Sequence, residues 1–136
     1  MDSKYFLANE LECHCEHCKG QNTASNINSL FLHRLNLLRD KWGGPIGVSD
    51  AYRCPVHNKA VGGSPNSQHL YGRAADIYVG RKYDFSKKAR EEYEAFFKFV
   101  LESKLFDGIG YYPDGLFVHV DLRSDGTELN EYRWNG

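Results

Sequence analysis

The chain has 136 residues, with 17 Lys and Arg against 18 Asp and Glu, and with 8 Phe, 9 Tyr and 2 Trp to fill a core. This length predicts one domain, residues 1–136, that buries a core without needing disulfides. The net charge of −1 argues against nucleic-acid binding, which calls for a basic excess. No apolar run reaches the roughly 18 residues of a membrane-spanning helix.

Residues 1–24 form a polar segment rich in Cys and His. It shows no basic stretch followed by an apolar one, the pattern of a secretory signal. Cys13, Cys15 and Cys18 crowd into six residues, and Cys54 is the fourth cysteine. Three readings stay open: free thiols, a disulfide set, or a metal site completed by His14, His17 or Cys54. From Ser25 to Trp42, Ile27, Leu30, Phe31, Leu35, Leu38 and Trp42 recur at three- and four-residue spacing and predict an amphipathic helix. Gly43-Gly44-Pro45 ends it, and "PIGVSDAYR" reads as a short strand.

Residues 54–72, "CPVHNKAVGGSPNSQHLYG", read mostly as loop. A loop of that length in a small domain is often functional. "RAADIYVG" reads as a strand with Asp76 and Tyr78 on one face and Ile77 and Val79 on the other. A second helix is predicted from Phe85 to Leu105, buried through Ala89, Tyr93, Phe96, Phe97, Val100 and Leu101. After "FDGIGYY" and the turn "PDG" comes the strand "LFVHVDLR". It sets Phe117, His119 and Asp121 on one face and Leu116, Val118, Val120 and Leu122 on the other. The predicted class is α+β, a small, mainly antiparallel sheet flanked by two long helices.

Of the six histidines, His69 ends the Gly-rich loop and His119 lies mid-strand. Each alone reads as an ordinary structural residue, as does Asp76. Together, two His and one Asp on neighbouring elements supply three ligands to Zn²⁺ and leave a fourth position open, the composition of a catalytic zinc site. Such an ion lowers the pKa of water and polarises a carbonyl. Gly72 allows the tight return between His69 and Asp76. No role is assigned to His33 or His57.

"SQHLYGRAAD" closely resembles the Ser-x-His-x-x-x-x-x-x-Asp motif of the zinc D-Ala-D-Ala carboxypeptidase family, which includes peptidoglycan endopeptidases and phage endolysins and shares its fold with the Hedgehog signalling domain. "SDAYRCPVHNKAVGG", "GIGYYPDGLFVHVDLR" and "YRW" extend the resemblance over roughly residues 25–134. It implies His69, Asp76 and His119 as zinc ligands and Arg53 as the residue that meets a substrate carboxylate or oxyanion, work that suits a guanidinium fork. Ser67 and Gln68 are candidates for substrate hydrogen bonds or for holding the loop.

Relatives carry an acid three residues before the last His ligand, or a His two residues before it. Here those positions are Leu116 and Phe117. Asp121 is the first candidate for the missing general base, with a supporting bond to a zinc-ligating His as its other reading. Asp114, in the turn, is the second. The resemblance implies a zinc-dependent hydrolase of peptidoglycan stem or cross-link peptides; a monomer is expected, made in the cytoplasm and acting at the wall, as an endolysin does, or secreted by a signal not visible here. The alternative is a non-catalytic zinc-containing binding module of the same fold.

Overall fold

The computed structural model describes residues 5–123 and 132–135. A short helix α1 (Ala8–Leu11) is followed by two 3-10 turns, Glu16–Cys18 and Thr23–Asn26. The long helix α2 spans Ser29–Trp42 and leads to strand β1 (Gly47–Asp50). A short helix α3 (Pro55–Ala60) and a 3-10 turn (Gln68–Tyr71) precede strand β2 (Ala74–Tyr78). The second long helix α4 (Lys87–Ser103) is followed by β3 (Gly108–Tyr112), β4 (Phe117–Asp121) and β5 (Tyr132–Asn135).

The sheet order is β1-β2-β4-β3-β5. Every pairing is antiparallel except β3 with β5. This is the predicted α+β arrangement, and β2, β4 and β3 are its inner strands. Ile77, Val118 and Val120 are fully buried beneath the helices. They join Phe31, Leu35 and Leu38 of α2 and Tyr93, Phe96 and Val100 of α4 in one apolar cluster. Trp42 closes its edge by packing on Phe96 and Phe99, with ring centroids 5.1 Å away in both cases.

Two expectations change beyond a residue or two at an element's end. The first helix begins at Ser29 rather than Ser25, because the Asn28 side chain accepts the Phe31 N–H at 2.9 Å and caps it there. Ile27 is buried from extended backbone before the cap, so its helical spacing is a coincidence of the fold. Residues 55–60, read as loop, are helical. Pro55 is preset for the first turn, and Cys54 accepts the His57 N–H. Val56 is exposed, so no apolar stripe marks this helix in the sequence.

Candidate metal centre

Asp76 and His119 are directly opposed across the β2–β4 ladder. The alternation of each strand turns both side chains to the face away from Ile77, Val118 and Val120. His69 arrives from the 3-10 turn, whose start is capped by Ser67 Oγ accepting the His69 N–H. The turn ends at Gly72 in the left-handed region, φ +68°. A Cβ there would collide with the Asn26 carbonyl oxygen, so this close crossing of two backbones admits only glycine.

The three side chains converge. His69 Nε2 lies 3.4 Å from Asp76 Oδ1, and His119 Nδ1 lies 3.0 Å from the same oxygen. One donor atom from each residue falls within 4.8 Å of the others. The outward nitrogens are occupied: His69 Nδ1 is 2.6 Å from the Ala51 carbonyl, and His119 Nε2 is 2.8 Å from Asp121 Oδ2. Both acceptors require an N–H, so His69 Nε2 and His119 Nδ1 are the nitrogens that would face a metal, the latter once it gives up the proton it shares with Asp76. Two nitrogens and a carboxylate oxygen at this spacing suit a first-row divalent ion such as zinc.

Without a metal the cluster is held by hydrogen bonds between His119 and the two carboxylates of Asp76 and Asp121. Burial opposes charge on His119, yet hydrogen bonds to Asp121 and Asp76 outweigh it and raise its pKa to about 9. Burial likewise opposes ionisation of Asp76, but bonds to His119 and His69 hold it well below the usual carboxylate range. Against burial, His119 and Arg123 bring Asp121 down to about 2. The sign for stability follows. His119 stabilises the metal-free fold fully below its unfolded pKa of about 6.5, and that contribution disappears as pH rises through about 9. The two carboxylates contribute above about pH 4 and lose that contribution as pH falls. In the presence of a chelator, the urea midpoint of the native chain is expected to drop between roughly pH 6.5 and pH 9 more steeply than that of His119→Gln. Parallel profiles would show that the His119 pairs carry no such charge.

The cluster forms the floor of a cleft of about 440 Å³, lined also by Arg53, Ser67, Gln68, Tyr112, Phe117, Arg123 and Trp134. Arg53 stands on its wall. Nε donates to Asp50 Oδ2 at 3.1 Å, Nη2 donates to the same oxygen, and Nη1 donates to Asn58 Oδ1 at 2.9 Å. A Cβ on Gly63 would strike both Asn58 Oδ1 and Arg53 Nη1, so glycine there leaves the guanidinium its place. Gln68 Oε1 accepts from Arg73 Nε at 2.7 Å, and Ser67 caps its turn. Both residues thus have loop-holding bonds while lining the cleft.

Asp121 lies behind His119, fully buried. Its carboxylate accepts from His119 Nε2, from the Arg123 backbone N–H and from the Arg123 guanidinium at 2.7 and 3.0 Å. Asp114 is exposed in the β3–β4 turn and does not line the cleft. Among the described residues that line it, Asp76 is the one carboxylate. Sequence reading alone misses Tyr112 and Trp134. Trp134 Nε1 donates to Tyr112 Oη at 2.9 Å, and the indole lies 5.1 Å from the His119 ring. Tyr112 also stacks on Phe117, centroids 4.6 Å apart. Their common signal is the parallel β3–β5 pairing, which opposes Gly110 to Trp134 and cannot be foreseen from local pattern.

A second, more apolar hollow of about 280 Å³ lies against Tyr78, Tyr83, Phe85, Tyr93 and Leu116. It shares only Phe117 with the cleft and offers no His or Cys. The fold and the cleft thus present His69, Asp76 and His119 as a candidate metal centre. The family model for peptidase M15 matches residues 4–121, and the chain belongs to that family. A zinc D-Ala-D-Ala carboxypeptidase of Streptomyces albus G is 32% identical over 72 residues, which are 50% of this chain and 28% of that protein. This chain thus spans less than a third of that relative's length. No helix among the described residues is long and apolar enough to cross a membrane.

Proposed function

We propose that the chain is a zinc metallopeptidase that hydrolyses peptide bonds of peptidoglycan, with His69, Asp76 and His119 as the metal ligands. The observation that carries this reading is the convergence of those three donors on a cleft floor beneath an anchored arginine. The peptidase M15 membership and the carboxypeptidase relative support the substrate class.

Zinc, when bound, supplies Lewis-acid activation of water and of the scissile carbonyl. The protein's own groups do the rest. Ala51 and Asp121 fix the tautomers of His69 and His119. Asp50 and Asn58 hold Arg53 in place before substrate arrives, so its remaining donor directions meet a peptide carboxylate or the developing oxyanion without reorganisation. Tyr112 Oη accepts from Trp134 and keeps its own O–H to donate to a substrate oxygen.

Of the two roles open to Asp121, its burial behind His119 favours the supporting one. Asp121→Asn is then expected to weaken zinc binding by about 10–100-fold, measured by competition with a chromogenic chelator. If Asp121 were the base instead, that variant would keep native zinc affinity and lose turnover.

The purified chain is to be incubated with peptidoglycan, with and without a chelator, and the released fragments weighed by mass spectrometry. Chelator-sensitive release is expected. Loss of single terminal residues would mark a carboxypeptidase, and opened cross-links an endopeptidase of the endolysin kind. A second reading rests on one specific observation: no carboxylate besides Asp76 faces the cleft among the described residues. A zinc-containing module that binds wall peptides without cutting them would retain peptidoglycan in sedimentation and release no fragments.

A further inference from the structure

We propose that Cys13, Cys15, Cys18 and Cys54 form a second metal site, a closed tetrathiolate that holds one Zn²⁺ and clips the N-terminal segment to the residue that follows Arg53. The four sulfurs all lie within 4.8 Å of one another, although Cys54 is remote in sequence from the other three. Cys13–Cys15 and Cys15–Cys54 sulfur separations are both 3.5 Å. A tetrahedron with metal–sulfur bonds of about 2.3 Å has edges of about 3.8 Å. All four cysteines are free thiols, and Cys13, Cys18 and Cys54 are buried.

Two backbone donors already point at this centre. The Cys54 N–H approaches Cys13 Sγ at 3.5 Å, and the His57 N–H approaches Cys54 Sγ at 3.3 Å. Such N–H contacts offset the negative charge that thiolates acquire on a metal. Nearby imidazoles do not compete. His14 Nε2 is turned to the Asn9 carbonyl at 2.8 Å, and His17 is exposed. The donor set is therefore four sulfurs, the closed set of a structural zinc site, whereas the His–Asp–His set leaves a position open.

The fold gives the clip a purpose. The cysteines form a small cluster of their own, apart from the main core, with only Tyr52 and Cys15 packed around its buried members. Two hydrogen bonds assist them: Cys13 N–H to Thr23 Oγ1 at 2.8 Å and Tyr52 N–H to the Leu11 carbonyl at 3.2 Å. A metal adds the cross-link that so few apolar contacts cannot supply. Binding replaces four S–H bonds by four metal–sulfur bonds and releases up to four protons, with no change of oxidation state.

The test uses the full chain, kept reduced, so that this site and the cleft site are read separately. The His69→Ala/His119→Ala double variant is expected to retain one zinc per chain by mass-spectrometric metal analysis. Loaded with Co²⁺, it should show a thiolate-to-cobalt charge-transfer band in the near ultraviolet and intense visible bands of tetrahedral cobalt. Its thiols should react with a disulfide reagent only after chelation. Retained zinc with the thiolate spectrum supports the site even if the native chain proves inactive on peptidoglycan. A double variant that is folded but metal-free, or a cobalt spectrum without the charge-transfer band, would each overturn it.

Discussion

Replacing His69 with alanine is expected to lower chelator-sensitive cleavage of peptidoglycan by at least about 10³-fold while the chain stays folded. His69 contributes one of two inward-facing nitrogens, and the residue is only 3% exposed, so alanine leaves that position without a protein donor. The variant also loses the Nδ1 bond to Ala51, a cost to stability of about 1 kcal/mol. Circular dichroism distinguishes that small loss from unfolding. Native-like cleavage by His69→Ala would remove this cleft as the seat of hydrolysis, whatever the metal content.

Gly72→Ala should destabilise the fold by about 3 kcal/mol or more and lower Tm by about 10 °C or more. Left-handed backbone alone costs an alanine about 1–2 kcal/mol. The Asn26 carbonyl oxygen, which occupies the space of the new methyl group, adds to that. It cannot move freely, because Gly72 O accepts the Asn28 N–H at 2.7 Å just before α2 begins. Differential scanning calorimetry reads the effect directly. Gly62→Ala is the control: its φ is +72°, but open space surrounds it, so it should carry the backbone cost alone. Equal losses in the two variants would show that the crossing at Gly72 is not tight.

What the sequence makes legible follows from range. The helical stripes of Phe31, Leu35 and Leu38 and of Tyr93, Phe96 and Val100, with the alternation around His119, are local, and they give α2, α4 and β4 to within a few residues. The same alternation places Asp121 on the face of His119, and the motif spacing brings out His69 and Asp76. Local pattern fails where tertiary contacts decide. Helix α3 is capped and proline-started but carries no buried stripe. The Asn58 and Gly63 support of Arg53 depends on how α3 returns to the loop. Trp134 reaches the cleft only because β5 runs parallel to β3. The meeting of Cys54 with Cys13, Cys15 and Cys18 is likewise a property of the folded chain.

The direct opposition of Asp76 and His119 on two neighbouring inner strands bears on how the molecule tolerates insertions. Asp121, His119 and Asp76 share one pleated face, so the two candidate ligands and their buried brace form a single block of the sheet. A residue gained or lost in the β3–β4 turn can be absorbed there without disturbing that block. One gained between His119 and Asp121 turns the brace into the apolar layer and cannot be repaired by any loop. Length variation compatible with a working centre is thus confined to the connections around it, and the centre itself behaves as an indivisible piece of the sheet.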